Sequence, residues 1–88
     1  MPVIYCKINL FDADQVVYLI DTDKGTEKEL AKAPLDYLDG TLATLCHDKN
    51  VYNVHLFGLE DFVADIARKI NKTEELMFSQ NKIKVEVN

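Results

Sequence analysis

From Val3 to Leu10 apolar and polar positions alternate, with Ile4, Cys6, Ile8 and Leu10 on one side and Val3, Tyr5, Lys7 and Asn9 on the other. A period of two predicts a strand with one oilier face. Asp12-Ala13-Asp14 reads as a turn, because short carboxylate side chains bond to nearby backbone at such corners. Gln15 to Ile20, rich in β-branched residues, then returns as the second strand of a hairpin. Asp21-Thr22-Asp23-Lys24-Gly25 supplies a further turn, and Thr26 to Ala33 forms a third strand. This third strand is weakly apolar and carries Lys28 and Lys32, a composition suited to a sheet edge.

The period then changes. Pro34 fits a first helical position, where a missing N–H costs nothing, and Leu35, Leu38, Leu42, Leu45 and Cys46 follow at helical spacing. Gly40 weakens this helix by about 1 kcal/mol relative to alanine and is an alternative starting point. Asn50 is a suitable left-handed stop. Val51 to Phe57 is the most continuous apolar strand, the expected pattern for a central parallel strand. Leu59, Phe62, Val63, Ile66, Ala67 and Ile70 define a second amphipathic helix, and Thr73 with Glu74 and Glu75 can restart it as a short further helix. Lys82 to Val87 alternates again, with Ile83, Val85 and Val87 inward and Lys84 and Glu86 outward.

The expected order is β-β-β-α-β-α-β, an α/β fold with a mixed five-stranded sheet in a single small domain spanning residues 1–88. Right-handed crossovers allow the strand order 3-2-1-4-5. In element order alone this resembles the ribonuclease H-like core, an arrangement that many unrelated proteins share. Both crossovers run the same way across the sheet, so right-handedness places both helices on one face and leaves the other bare. The simplest helix-facing set is Ile4, Cys6, Ile8, Leu10, Val54, Leu56, Ile83, Val85 and Val87. The bare side then carries Val3, Tyr5, Lys7, Asn9, His55, Phe57, Lys84 and Glu86, joined by either Val16, Tyr18 and Ile20 or Val17 and Leu19. Aromatic centres with charges around them resemble a protein interface, and Tyr5, Lys7, Tyr18, His55 and Phe57 are the candidate contact residues.

Composition narrows the partner. The chain has 48 % hydrophobic and 28 % charged residues, the balance of a protein with a core to bury. Its net charge of −5 lies wholly between Asp12 and Asp39, where eight acids meet three bases. Such a field opposes nucleic acid and anionic membranes and favours a basic protein surface. No apolar stretch approaches the roughly 20 residues that span a bilayer, and the N-terminus lacks a secretion signal, so a cytoplasmic setting is expected. There Cys6 and Cys46 are expected as free thiols.

The chemical motifs are weak. Gly58 before a helix could admit a phosphate, but it is a lone glycine, and Glu60 and Asp61 in the first turn oppose an anion, so a tight strand-to-helix turn is expected. A ribonuclease H-like nuclease would need a carboxylate within the first strand, which has Cys6, Lys7, Ile8 and Asn9 instead. Asp12, Asp14, Glu60 and Asp61 remain an alternative metal set at one end of the sheet. Asp21 to Gly25 fails the calcium-loop pattern, with glycine fifth and Lys32 twelfth. His47 and His55 lack partners at zinc-ligand spacing, Cys46 and His47 diverge on a helix, and no serine-nucleophile motif occurs. No cofactor is implied. The leading expectation is a non-catalytic interaction or regulatory protein, a homodimer through the bare face or a partner of a basic protein. The alternatives are a degenerate metal-dependent nuclease or hydrolase and an acidic inhibitor mimicking nucleic acid.

Overall fold

A computed structural model describes all 88 residues. Five strands form one sheet in the order β3-β2-β1-β4-β5. They are β1 (Pro2–Lys7), β2 (Gln15–Asp21), β3 (Thr26–Ala33), β4 (Asn53–Phe57) and β5 (Lys84–Val87). β1 and β2 pair antiparallel, as do β2 and β3, while β1 with β4 and β4 with β5 are parallel. Two helices, α1 (Leu38–Lys49) and α2 (Glu60–Met77), make the crossovers. The α/β architecture, strand order and ribonuclease H-like arrangement are those expected from the sequence.

One hydrophobic cluster holds these layers together. Ile4, Cys6 and Ile8 of the first strand and its extension meet Val17, Val54 and Leu56, and over them lie Leu38, Leu42 and Cys46 of α1 and Val63, Ile66 and Ile70 of α2. Val3, Tyr5 and Lys7, which alternate with the buried positions, are only partly covered or exposed. Both helices therefore pack on a single face of the sheet, as right-handed crossovers require.

Several boundaries differ from the sequence pattern, each for a local reason. β1 ends at Lys7 rather than Leu10. The Ile8 amide still donates to the Phe57 carbonyl at 2.7 Å, but the chain then turns at Asn9. Gln15, buried, enforces that turn: its Oε1 accepts from the Asn9 amide at 2.7 Å, and its Nε2 donates to the Asn9 and Asp12 carbonyls at 2.9 and 3.3 Å. Leu10 consequently points to solvent instead of the helices. Leu35–Tyr37 is a 3-10 turn after the extended Pro34, and the α-helix proper begins at Leu38. Asn50 stops α1 in the left-handed conformation (φ 55°), as its side chain permits.

β4 begins at Asn53, not Val51; Tyr52 nonetheless accepts a bond from the Lys84 amide at 2.8 Å. α2 runs unbroken to Met77 and does not restart at Thr73, whose hydroxyl donates to Asp39 of α1 at 2.8 Å rather than capping a helix. Before β5, Asn71 accepts from the Ile83 amide and donates to the Ile83 carbonyl, both at 2.9 Å, so a side-chain amide takes the place of a neighbouring strand. Val87 lies at the strand end and is exposed, contrary to its place in the expected inward set. No helix is long and apolar enough to cross a membrane.

Candidate functional site

Register decides which side chains share the helix-free face. In β2, Val17 is fully buried beneath the helices, which turns Tyr18 to the opposite side. Tyr5 pairs with Tyr18 in one direction and His55 in the other, Tyr18 pairs with Glu29, and His55 pairs with Glu86. Residues directly opposite one another project to the same side of a sheet. Glu29, Tyr18, Tyr5, His55 and Glu86 therefore form a line across all five strands. The Tyr5 and His55 rings meet edge to face, perpendicular and 5.6 Å between centroids, a favourable aromatic arrangement.

Flanking pairs widen this stripe. Val3 pairs with Ile20, and Ile20 with Glu27. Lys7 pairs with Phe57, and Val16 with Lys32. The five candidates Tyr5, Lys7, Tyr18, His55 and Phe57 thus lie together on one surface. Tyr5, Tyr18 and His55 are half-buried by their neighbours, while Lys7 and Phe57 are exposed. The strands of this face carry Lys7, Lys32 and Lys84 against Glu27, Glu29 and Glu86, so it is neutral although the chain is acidic.

The contribution of β3 to this face was not assigned from the sequence. Its alternation shifts where the β2–β3 register slips between Val17 and Tyr18, so that Glu27 and Glu29 share a side with Lys32. The adjacent apolar pair Leu30-Ala31, after four polar residues, falls where the register slips.

Asp12, Asp14, Glu60 and Asp61 are all exposed. They do not assemble into a ligand set: no three His, Cys, Asp or Glu side chains lie together in a way that could hold a cation. Asp12 and Asp14 instead border a shallow concavity of about 310 Å³ beside Tyr5, Lys7, Val16 and Tyr18, at the margin of the bare face. Gly58 is explained by packing. A β-carbon there would lie 3.1 Å from the Ile8 carbonyl oxygen and 3.3 Å from the Ile8 β-carbon, so the close approach it allows is to the β1–β2 loop. Asp21 organises its turn by accepting from the Asp23 and Lys24 amides at 3.1 and 3.3 Å, with Gly25 at φ 65°.

Neither thiol suits nucleophilic work. Cys6 and Cys46 are free and buried, and loss of hydration pushes them up to about 11 and about 12, Glu74 adding to the latter. A thiol so shifted stays protonated at neutral pH and reacts poorly. His47, at the end of α1, stacks on Phe78 with parallel rings 4.1 Å apart. Glu74 is the one buried carboxylate; its Oε1 accepts from the Gln80 and Asn81 amides, both at 3.1 Å, and shapes the turn after α2. No protein-family model matches the chain, and no curated protein is found similar to it.

Proposed function

We propose that this is a non-catalytic interaction protein that pairs with a second copy of itself through the helix-free face of the sheet. The observation that carries the reading is the aromatic stripe of Tyr18, Tyr5 and His55 on a face that no element of the chain covers. Apolar and aromatic groups at the centre with charges around them are the composition of an interface core and rim. The even balance of three lysines and three glutamates on this face keeps it from adding to the repulsion between two chains of net charge −5.

A symmetric pair meets both unlike and like charges. With the two-fold axis along β1, the β3 edge of one copy lies over the β5 edge of the other, bringing Glu27 toward the partner's Lys84 but also Glu29 toward the partner's Glu86. The charges therefore add little, and the aromatic stripe carries the pairing. Five strands at about 4.8 Å spacing and about five residues at 3.3 Å give a flat footprint on the order of 400 Å² per copy before side-chain relief. Such an area belongs to the small end of specific interfaces, and a reversible dimer follows rather than an obligate one. The free buried thiols suit a reducing, cytoplasmic setting.

Size-exclusion chromatography with light scattering tests this. The wild type is expected to approach twice the chain mass of 10.1 kDa as concentration rises, and the Tyr5→Lys, Phe57→Lys double variant to stay monomeric. A wild type that remains monomeric at millimolar concentration refutes the reading.

A further inference from the structure

A second surface lies at the end of the sheet where β1 and β4 finish. The β1–β2 loop and the turn from β4 into α2 abut there, through the Ile8–Phe57 hydrogen bond and the contact of Gly58 with Ile8. The two turns carry the same composition. One presents Leu10 and Phe11 followed by Asp12 and Asp14; the other presents Leu59 and Phe62 around Glu60 and Asp61. Phe11 is 97 % exposed, Leu59 63 %, Phe62 44 % and Leu10 41 %. Phe11 is held outward by a tight turn: its amide donates to the Asn9 side chain at 3.0 Å and the Asp12 amide to the Asn9 carbonyl at 3.2 Å. The buried Gln15 fixes that turn from beneath.

Neither segment contains a base. No lysine or arginine occurs from Ile8 to Val16 or from Phe57 to Ala67. Single exposed apolar residues are ordinary, but four large ones on adjoining turns form a patch, and such patches mark association sites. The carboxylates select the occupant: an apolar centre whose own turns carry only acids, with Lys7 and Lys69 at the outer margins, repels anionic lipid and nucleic acid and complements an apolar stripe flanked by lysine or arginine. We propose that this end of the sheet docks a basic amphipathic segment of a partner protein, Phe11 and Leu59 taking its apolar side and Asp12, Asp14, Glu60 and Asp61 its charges. The inference shares with the preceding reading that the chain is an interaction protein, but it uses a different surface and does not need self-association.

Fluorescence anisotropy tests it with three labelled peptides of equal length: a helical leucine–lysine amphipath, its leucine–glutamate counterpart, and oligolysine. Binding of the leucine–lysine peptide alone is expected. Affinity should fall about thirtyfold in Phe11→Ser, the loss of a central aromatic anchor, and comparably in Leu59→Ser. Both positions are exposed, and circular dichroism verifies that each variant is folded. Leu76→Ser, an exposed apolar position on the last turn of α2, and His55→Lys, on the bare face away from Asp12 and Asp14, should bind as the wild type does. Loss of binding in His55→Lys with retention in Phe11→Ser assigns the peptide to the bare face and overturns the proposal. Equal binding of oligolysine, no effect of either serine variant at the loop end, or binding of the protein to phosphatidylcholine vesicles through Phe11 overturns it as well.

Discussion

Gln15→Leu removes the side chain that fastens the β1–β2 corner. Three hydrogen bonds are lost, from the Asn9 amide at 2.7 Å and to the Asn9 and Asp12 carbonyls at 2.9 and 3.3 Å. Gln15 is 2 % exposed, so leucine blocks water from replacing it. A buried group left without its partner costs about 1–3 kcal/mol; the Asn9 amide is left so, whereas the Asn9 carbonyl keeps its bond from the Asp12 amide. Leucine recovers on the order of 1 kcal/mol through its added apolar burial. The net loss is about 1–2 kcal/mol, or a melting temperature roughly 5–15 °C lower for a domain of this size.

Gln15→Glu separates hydrogen bonding from shape. At neutral pH its carboxylate can still accept from Asn9 but faces two carbonyl oxygens with no proton to donate. Burial and those oxygens raise the folded-state value of that carboxyl above the ordinary glutamate range of about 4.3. Stability carried by the protonated form is therefore fully present below pH 4.3 and is lost as pH rises through the folded value. Urea unfolding of wild type and both variants from acid to neutral pH reads the effect. A Gln15→Leu loss under about 0.5 kcal/mol, the range of ordinary surface changes, or a Gln15→Glu deficit that does not shrink on acidification, refutes this account of the corner.

Other regions give equally direct expectations. Glu74→Gln keeps an oxygen for the Gln80 and Asn81 amides and should cost under about 1 kcal/mol, whereas Glu74→Ala strands both amides and should cost about 2–3 kcal/mol in the same urea experiment. The buried thiols, raised from 9.0 to about 11 and about 12, stay protonated in the folded chain after the unfolded chain has ionised. Stability should accordingly be intact below pH 9 and fall as pH rises from there toward 11–12, by on the order of 3 kcal/mol for each thiol, with a shallower fall in Cys6→Ala measured by urea titration at each pH.

Much of the fold is legible in the sequence because it is written in side-chain periodicity. The alternation of Ile4, Cys6 and Ile8 and the helical spacing from Phe62 to Ile70 both report a single buried face, and handedness then fixes where the helices lie. What escaped is specified by single polar contacts with no periodic trace. Leu10 continues the alternation of β1, yet the turn fixed by Gln15 carries it out of the core. Thr73-Glu74-Glu75 has the composition of a helix start, but Thr73 bonds to Asp39 and Glu74 reaches forward to Gln80 and Asn81, so α2 simply continues. The candidate surface was legible up to the parity of β2, for which Val16, Tyr18 and Ile20 competed with Val17 and Leu19. Burial of Val17 settles that choice in favour of Tyr18. Glu27, Glu29 and Lys32 stayed hidden because a one-residue slip reverses the side on which every later residue falls.

Concentration-dependent two-dimensional NMR of the side chains tests the central claim most directly, because it reports which surface meets the second copy. On dilution from millimolar to micromolar protein, the ring resonances of Tyr5, Tyr18, His55 and Phe57 are predicted to shift together along one binding curve, while those of Tyr37 and Phe78 on the helical side stay fixed. Invariant bare-face rings across that range, or shifts confined to the helical side, would contradict it.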